Sequence, residues 1–129
     1  MTDAETQKII DATVQATVMQ LQAAGLLRSN TRTAYEKTEE LLRQYPRLKT
    51  LQGDYARRVV QEIDACLAEA EQEPYADVIR LFYFAGLKNA ACAKVLACDE
   101  RTGRRARRKL VEQFSVRLAS EEFIRELLT

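Results

Sequence analysis

Glu100-Arg-Thr-Gly-Arg-Arg-Ala-Arg-Arg-Lys109 places six basic residues in ten positions, and no acid follows Glu100 until Glu112. Read as a helix at about 100° per residue, the stretch sets Arg101, Arg104, Arg105 and Arg108 on one face. Ala106, Leu110, Phe114 and Leu118 fall on or near the opposite face. Such a helix can hold to a core by its apolar back and offer guanidinium forks in front, a geometry suited to phosphate oxygens and guanine edges. Working outward, Ala97-Cys98-Asp99 reads as a tight turn, with Asp99 as N-cap. The residues from Lys88 or Asn89 to Leu96 read as a short helix before it. Helix, tight turn and basic helix make the skeleton of a helix-turn-helix, with residues 100–118 as the recognition helix.

Upstream, Pro74 marks a new start, and Val78, Ile79, Leu81, Phe82 and Phe84 form the densest apolar cluster before an Ala85-Gly86-Leu87 turn. Thr2 with Glu5 and Thr33 with Glu36 carry the capping-box spacing. The first opens a long amphipathic helix with Ile9, Ile10, Val14, Val18 and Leu21 on a broad apolar face, which Gly25 can stop. The second opens a helix that Pro46 ends, or after which Pro46 begins a new segment. Gly53 is a break before a third amphipathic helix carrying Tyr55, Val59, Val60, Ile63, Leu67 and Ala70. Ser120 starts a last short helix. No strand pattern of useful length and no internal repeat is present.

The fold expected is therefore all-α. Residues 1–72 should form an N-terminal helical bundle or arm, and residues 73–129 a helix-turn-helix with a short C-terminal helix. At 47% apolar and 30% charged, the chain is too apolar for disorder. No apolar run reaches membrane-span length and the N-terminus has no signal-peptide pattern, so the expectation is a cytoplasmic protein. Net charge is only +1, but residues 1–72 carry nine Lys/Arg against eleven Asp/Glu, and residues 73–129 carry eleven against eight. The positive charge is gathered in one helix, as an element that meets an acidic partner requires.

Catalytic chemistry has little support. There is no histidine for a triad or a neutral-pH proton shuttle, and the four glycines are scattered rather than gathered in a phosphate loop. Cys66, Cys92 and Cys98 lack metal-ligand spacing, so no metal, no cofactor and no enzyme activity are expected. Tyr35, Tyr45 and Tyr55 read as interhelix packing rather than base stacking.

The segment from Pro74 to Leu118 resembles region 4 of the sigma-70 family. The likeness rests on Val78-Ile-Arg-Leu-Phe-Tyr-Phe84, Gly86-Leu87 with Asn89, Ala93, Leu96, Cys98-Asp-Glu-Arg-Thr102, Arg104-Arg105 and Lys109-Leu110. Ala24-Gly-Leu-Leu27 and Thr33-Ala-Tyr-Glu-Lys-Thr-Glu-Glu-Leu-Leu42, with Tyr45-Pro46, are similar to the ArpU/RinA type of phage-encoded transcriptional regulator. The resemblance implies a sigma-like helix-turn-helix that binds double-stranded DNA, and a role in late gene expression. Arg101, Thr102, Arg104, Arg105 and Arg108 would face the major groove, with Lys88, Asn89 and Lys109 on the flanking backbone. The N-terminal helices would dimerise or touch the transcription machinery, RNA polymerase included. The sequence departs from the family pattern at Ala91, Cys92, Ala97 and Gly103, where an acid, a large aliphatic, a glycine and a Val or Ile are usual. The alternative reading is a helical interaction module on a degenerate helix-turn-helix that reads no DNA. The stripes of residues 4–24 and 55–70 look larger than one small domain covers, so a homodimer is expected to bury part of them.

Overall fold

A computed structural model describes residues 2–129. Six α-helices and one π-helical turn make up the fold: α1 Asp3–Arg28, α2 Ala34–Leu48, α3 Asp54–Glu69, the π turn Arg80–Phe84, α4 Asn89–Leu96, α5 Glu100–Leu118 and α6 Glu121–Leu128. The protein is all-α, with no strand among the described residues.

The helix starts follow from local chemistry. Thr2 Oγ1 accepts from the Glu5 amide at 3.1 Å while the Glu5 carboxylate accepts from the Thr2 amide at 3.3 Å. Thr33 and Glu36 repeat the reciprocal cap on α2. Each box satisfies two of the amides that a helix start leaves without partners. Asp99 caps α5, accepting from the Thr102 amide at 2.7 Å, and Ser120 caps α6. Gly53 is a true break: its φ of 112° is a conformation that L side chains rarely adopt.

Three expectations are corrected. Gly25 does not stop α1, which runs on to Arg28 before Ser29 turns extended; an interior glycine costs a helix only about 1 kcal/mol, and a long helix absorbs that. Pro46 neither ends α2 nor starts a new segment, since α2 continues to Leu48. Tyr45 keeps helical angles before the proline because its ring stacks on Phe84 at 4.4 Å and its hydroxyl donates to Asp64 on α3. Pro74 does not open a helix. Tyr75 takes a φ of 58°, and the chain turns until Val78. The helical cluster that follows widens into the π turn, where the Ala85 amide reaches the Arg80 carbonyl.

α5 is the axis of the molecule, packing against α2, α3, α4 and α6, and its interface with α2 is the broadest between any two elements. Leu110, Val111, Phe114 and Leu118 are buried there with Leu41, Leu42, Leu48, Val59 and Ile63. The division at 72/73 divides the chain, then, but both sides feed one continuous core. The stripe of α3 is covered within it: Tyr55, Val59, Ile63, Leu67 and Ala70 are all buried and Val60 partly so, leaving none of it for a second subunit. α1 behaves otherwise. It buries Ala16, Ala23 and Leu27 and turns Ile9, Ile10, Val14, Val18 and Leu21 outward.

Three tyrosine hydroxyls tie α2 to its neighbours: Tyr45 donates to Asp64, Tyr55 on α3 donates to Gln44, and Tyr83 in the π turn donates to Glu39. Burial raises all three phenols above their ordinary range, Tyr45 to about 12, and raises the Cys66 thiol from 9.0 to about 12. The unfolded chain releases these protons near pH 9 to 10, while the folded chain still holds them. Stability is therefore fully present below pH 9 and is lost as pH rises through the raised values. Urea midpoints are expected to hold from pH 7 to 9 and to fall steeply between pH 10 and 12. Midpoints unchanged up to pH 12 would mean that these groups are not buried.

Candidate nucleic-acid interface

In the structure α4, the turn Ala97–Asp99 and α5 follow one another as a short helix, a tight turn and a longer helix. Ala97, the residue that ends α4, is left-handed at φ 54° and ψ 45°. Its amide and that of Cys98 close onto carbonyls of the last turn of α4, which lets the chain reverse in three residues.

α5 is chemically divided along its length. In its C-terminal half Arg117 is committed inward, donating to Glu62 at 2.7 Å and to Glu69, and so binds the helix to α3. In its N-terminal half Arg101, Arg104, Arg105 and Arg108 are all exposed. Arg104 meets Glu100 at 3.3 Å, an exposed pair one turn apart. Arg101, Arg105, Arg107 and Arg108 have no carboxylate within ion-pair distance among the described residues. With Tyr35 from the start of α2, these five arginines line a cleft of about 220 Å³. Five like charges held at close range, with Glu100 the one carboxylate paired among them, leave a repulsion that an anion relieves.

The remaining expected residues are placed as follows. Thr102 is half-buried, its amide engaged by Asp99. Lys109 is exposed but pairs with Glu73 at 3.4 Å, on a second groove lined by Pro74, Tyr75, Arg105, Ala106 and Leu110. Lys88 is exposed at the N-cap of α4 and makes no side-chain cap, leaving the first-turn amides of α4 open. Asn89 is half-buried, and its Oδ1 accepts from Arg107 Nη1 at 2.5 Å, so it offers a partner its amide group alone. Ala106 is half-buried, while Leu110 and Phe114 are fully inside.

Arg107 was not marked by the arginine face, because it lies about a third of a turn away from it. Its guanidinium sits 3.7 Å from the centre of the Phe82 ring and bonds Asn89. It thereby ties α5 to the start of α4 and to the π turn. The signal that could have found it is the pairing of an off-face arginine with an aromatic cluster, but Phe82 lies twenty-five residues away and the contact is purely tertiary.

Gly103 is buried on the α4 side of α5. A Cβ there would meet only Cys98 Sγ, at 3.9 Å, an ordinary contact, and the backbone is helical. Gly103→Ala is therefore expected to raise stability by about 0.5–1 kcal/mol by restricting the unfolded chain. A lower melting temperature would show that α4 and α5 do need the glycine for close approach.

No protein-family model, no curated protein and no solved structure matches this chain. No helix among the described residues is long and apolar enough to cross a membrane.

Proposed function

We propose that this chain is a DNA-binding transcriptional regulator, reading double-stranded DNA with the N-terminal half of α5. The carrying observation is the contrast within that one helix: Arg117 is doubly paired by acids of α3, whereas Arg101, Arg105 and Arg108 project with none. A helix anchored by Leu110, Val111, Phe114 and Leu118, with free guanidinium groups at its exposed start, has what a major-groove reader requires. The open amides at the start of α4, beside Lys88, suit a flanking phosphate. The phage or prophage origin and the role in late gene expression rest on the likeness of residues 24–46 to the ArpU/RinA regulators, beside the likeness of residues 74–118 to sigma-70 region 4. RNA polymerase is the further partner that this likeness brings.

The alternative, a helical interaction module that reads no DNA, draws on the groove beside Ala106 and Leu110. Arg105 lies free on that groove and Lys109 is paired there with Glu73, so an acidic peptide would compete with Glu73 for Lys109. Binding to genomic fragments across a salt series, followed by footprinting, tests the two. Phosphate-driven binding weakens steeply as salt rises, through counterion release. Absence of protected DNA at low salt would reject the regulator and leave the module.

A further inference from the structure

The outward face of α1 has no partner in the fold. Residues 2–11 are all exposed, so the helix projects beyond the core for its first turns. Farther along, only Ala16, Ala23 and Leu27 are buried. Ile10, Val14, Val18 and Leu21 stand 50, 55, 44 and 70% exposed. Together they present roughly 400 Å² of apolar surface, the size that the largest patch on a single-chain protein reaches, and such patches are often functional. The core takes Leu27 and two alanines from α1, while four large aliphatics stay on its open side.

The spacing on that face is a seam with a 3.5-residue period: Asp3, Ile10, Thr17 and Ala24 fall on one line, and Gln7, Val14, Leu21 and Arg28 on the line beside it. Thr17 fits an apolar seam because its hydroxyl is turned back onto the Thr13 carbonyl, which leaves the methyl outward. The two lines are complementary to each other when one copy is reversed. Ile10 then meets Leu21, Val14 meets Thr17, Gln7 meets Ala24, and Asp3 meets Arg28, each pair related by the same two-fold axis at the middle of the helix. A parallel pairing instead sets Asp3 on Asp3 and Arg28 on Arg28.

We propose that α1 is a dimerisation helix, and that two copies of this chain pair their α1 helices antiparallel along this seam. The charges at its ends fix the direction, as opposite charges do when they align an interface that apolar contact holds. Ile10, Val14 and Leu21 of two copies bring roughly 600 Å² of apolar surface to the seam, with Val18 at its flank, a core for an interface of ~1,200–2,000 Å² once flanking atoms are counted. The pairing also covers the projecting first turns of each α1 with the second half of its partner. This proposal stands apart from DNA reading, since it is tested without DNA.

Sedimentation of the intact chain at micromolar concentration is expected to show a dimer. Ile10→Glu with Leu21→Glu is expected to weaken self-association by at least about a hundredfold, since each copy loses two buried aliphatic side chains, and to leave the helical circular dichroism unchanged. Direction is read by disulfide capture in a Cys98→Ser background, which removes the one native cysteine that is not buried. A mixture of Ile10→Cys and Leu21→Cys chains should cross-link, and neither alone should. Cross-linking of Ile10→Cys alone would overturn the antiparallel seam. A monomer at high micromolar concentration, or a dimer that survives the double glutamate variant, would overturn the proposal altogether.

Discussion

Replacing Arg104 and Arg105 together with Ala is expected to lower DNA affinity by at least about thirtyfold, since each bidentate base contact is worth roughly 1–3 kcal/mol. Where the lost contacts are to phosphate, the slope of log affinity against log salt should flatten by about 0.9 for each. The fold should be untouched. Both side chains are exposed, alanine is the best helix former, and among the described residues the one ion pair lost is the surface pair of Arg104 with Glu100. The double variant should therefore melt within a few degrees of the parent, as calorimetry can check. Undiminished affinity in a folded variant would remove this face from the reader, and the interaction module would become the better reading.

Phe114→Ala is the opposite experiment on the same helix. Phe114 is 3% exposed, in the cluster where α5 meets α2 and α3. Truncating a buried phenylalanine costs ~3–5 kcal/mol, the lost transfer energy plus the cavity left behind. Against a total of ~5–15 kcal/mol, the variant should be partly unfolded at 37 °C or close to it. Val116→Ala, two residues along on the open side, should change the urea midpoint by less than about 0.5 kcal/mol equivalent. Equal effects at the two positions would mean that α5 buries a different face.

The features that could be read from the sequence are those decided within a few residues. The capping boxes at Thr2 and Thr33, the caps Asp99 and Ser120, the bounds of α4 and α5 and the two faces of α5 all depend on side chains within one or two turns of each other. The misread features depend on what packs from afar. Tyr45 stays helical before Pro46 because Phe84 and Asp64 hold it, and neither is visible in the local pattern. The π turn carries an extra residue whose cause is tertiary. For α1, periodicity reported an apolar stripe but could not say that the helix owns a second face, with Ala16, Ala23 and Leu27, and that this second face would turn inward. In the basic cleft, the arginine front was legible from spacing alone. Its wall at Tyr35 and its brace at Arg107 were not, because each is set by a helix remote in sequence.

The broad contact of α5 with α2 and α3 has a consequence for how such a protein can evolve and be engineered. Many recognition motifs can be cut out as cassettes and joined to new partners, because their cores close on themselves. Here a cut at 72/73 would strip Leu110, Val111, Phe114 and Leu118 of half their cover and expose the fragment to aggregation. α5 cannot be shuffled between genes as a module. Its exposed start can change by substitution at a few open positions, while the rest of the chain travels with it intact.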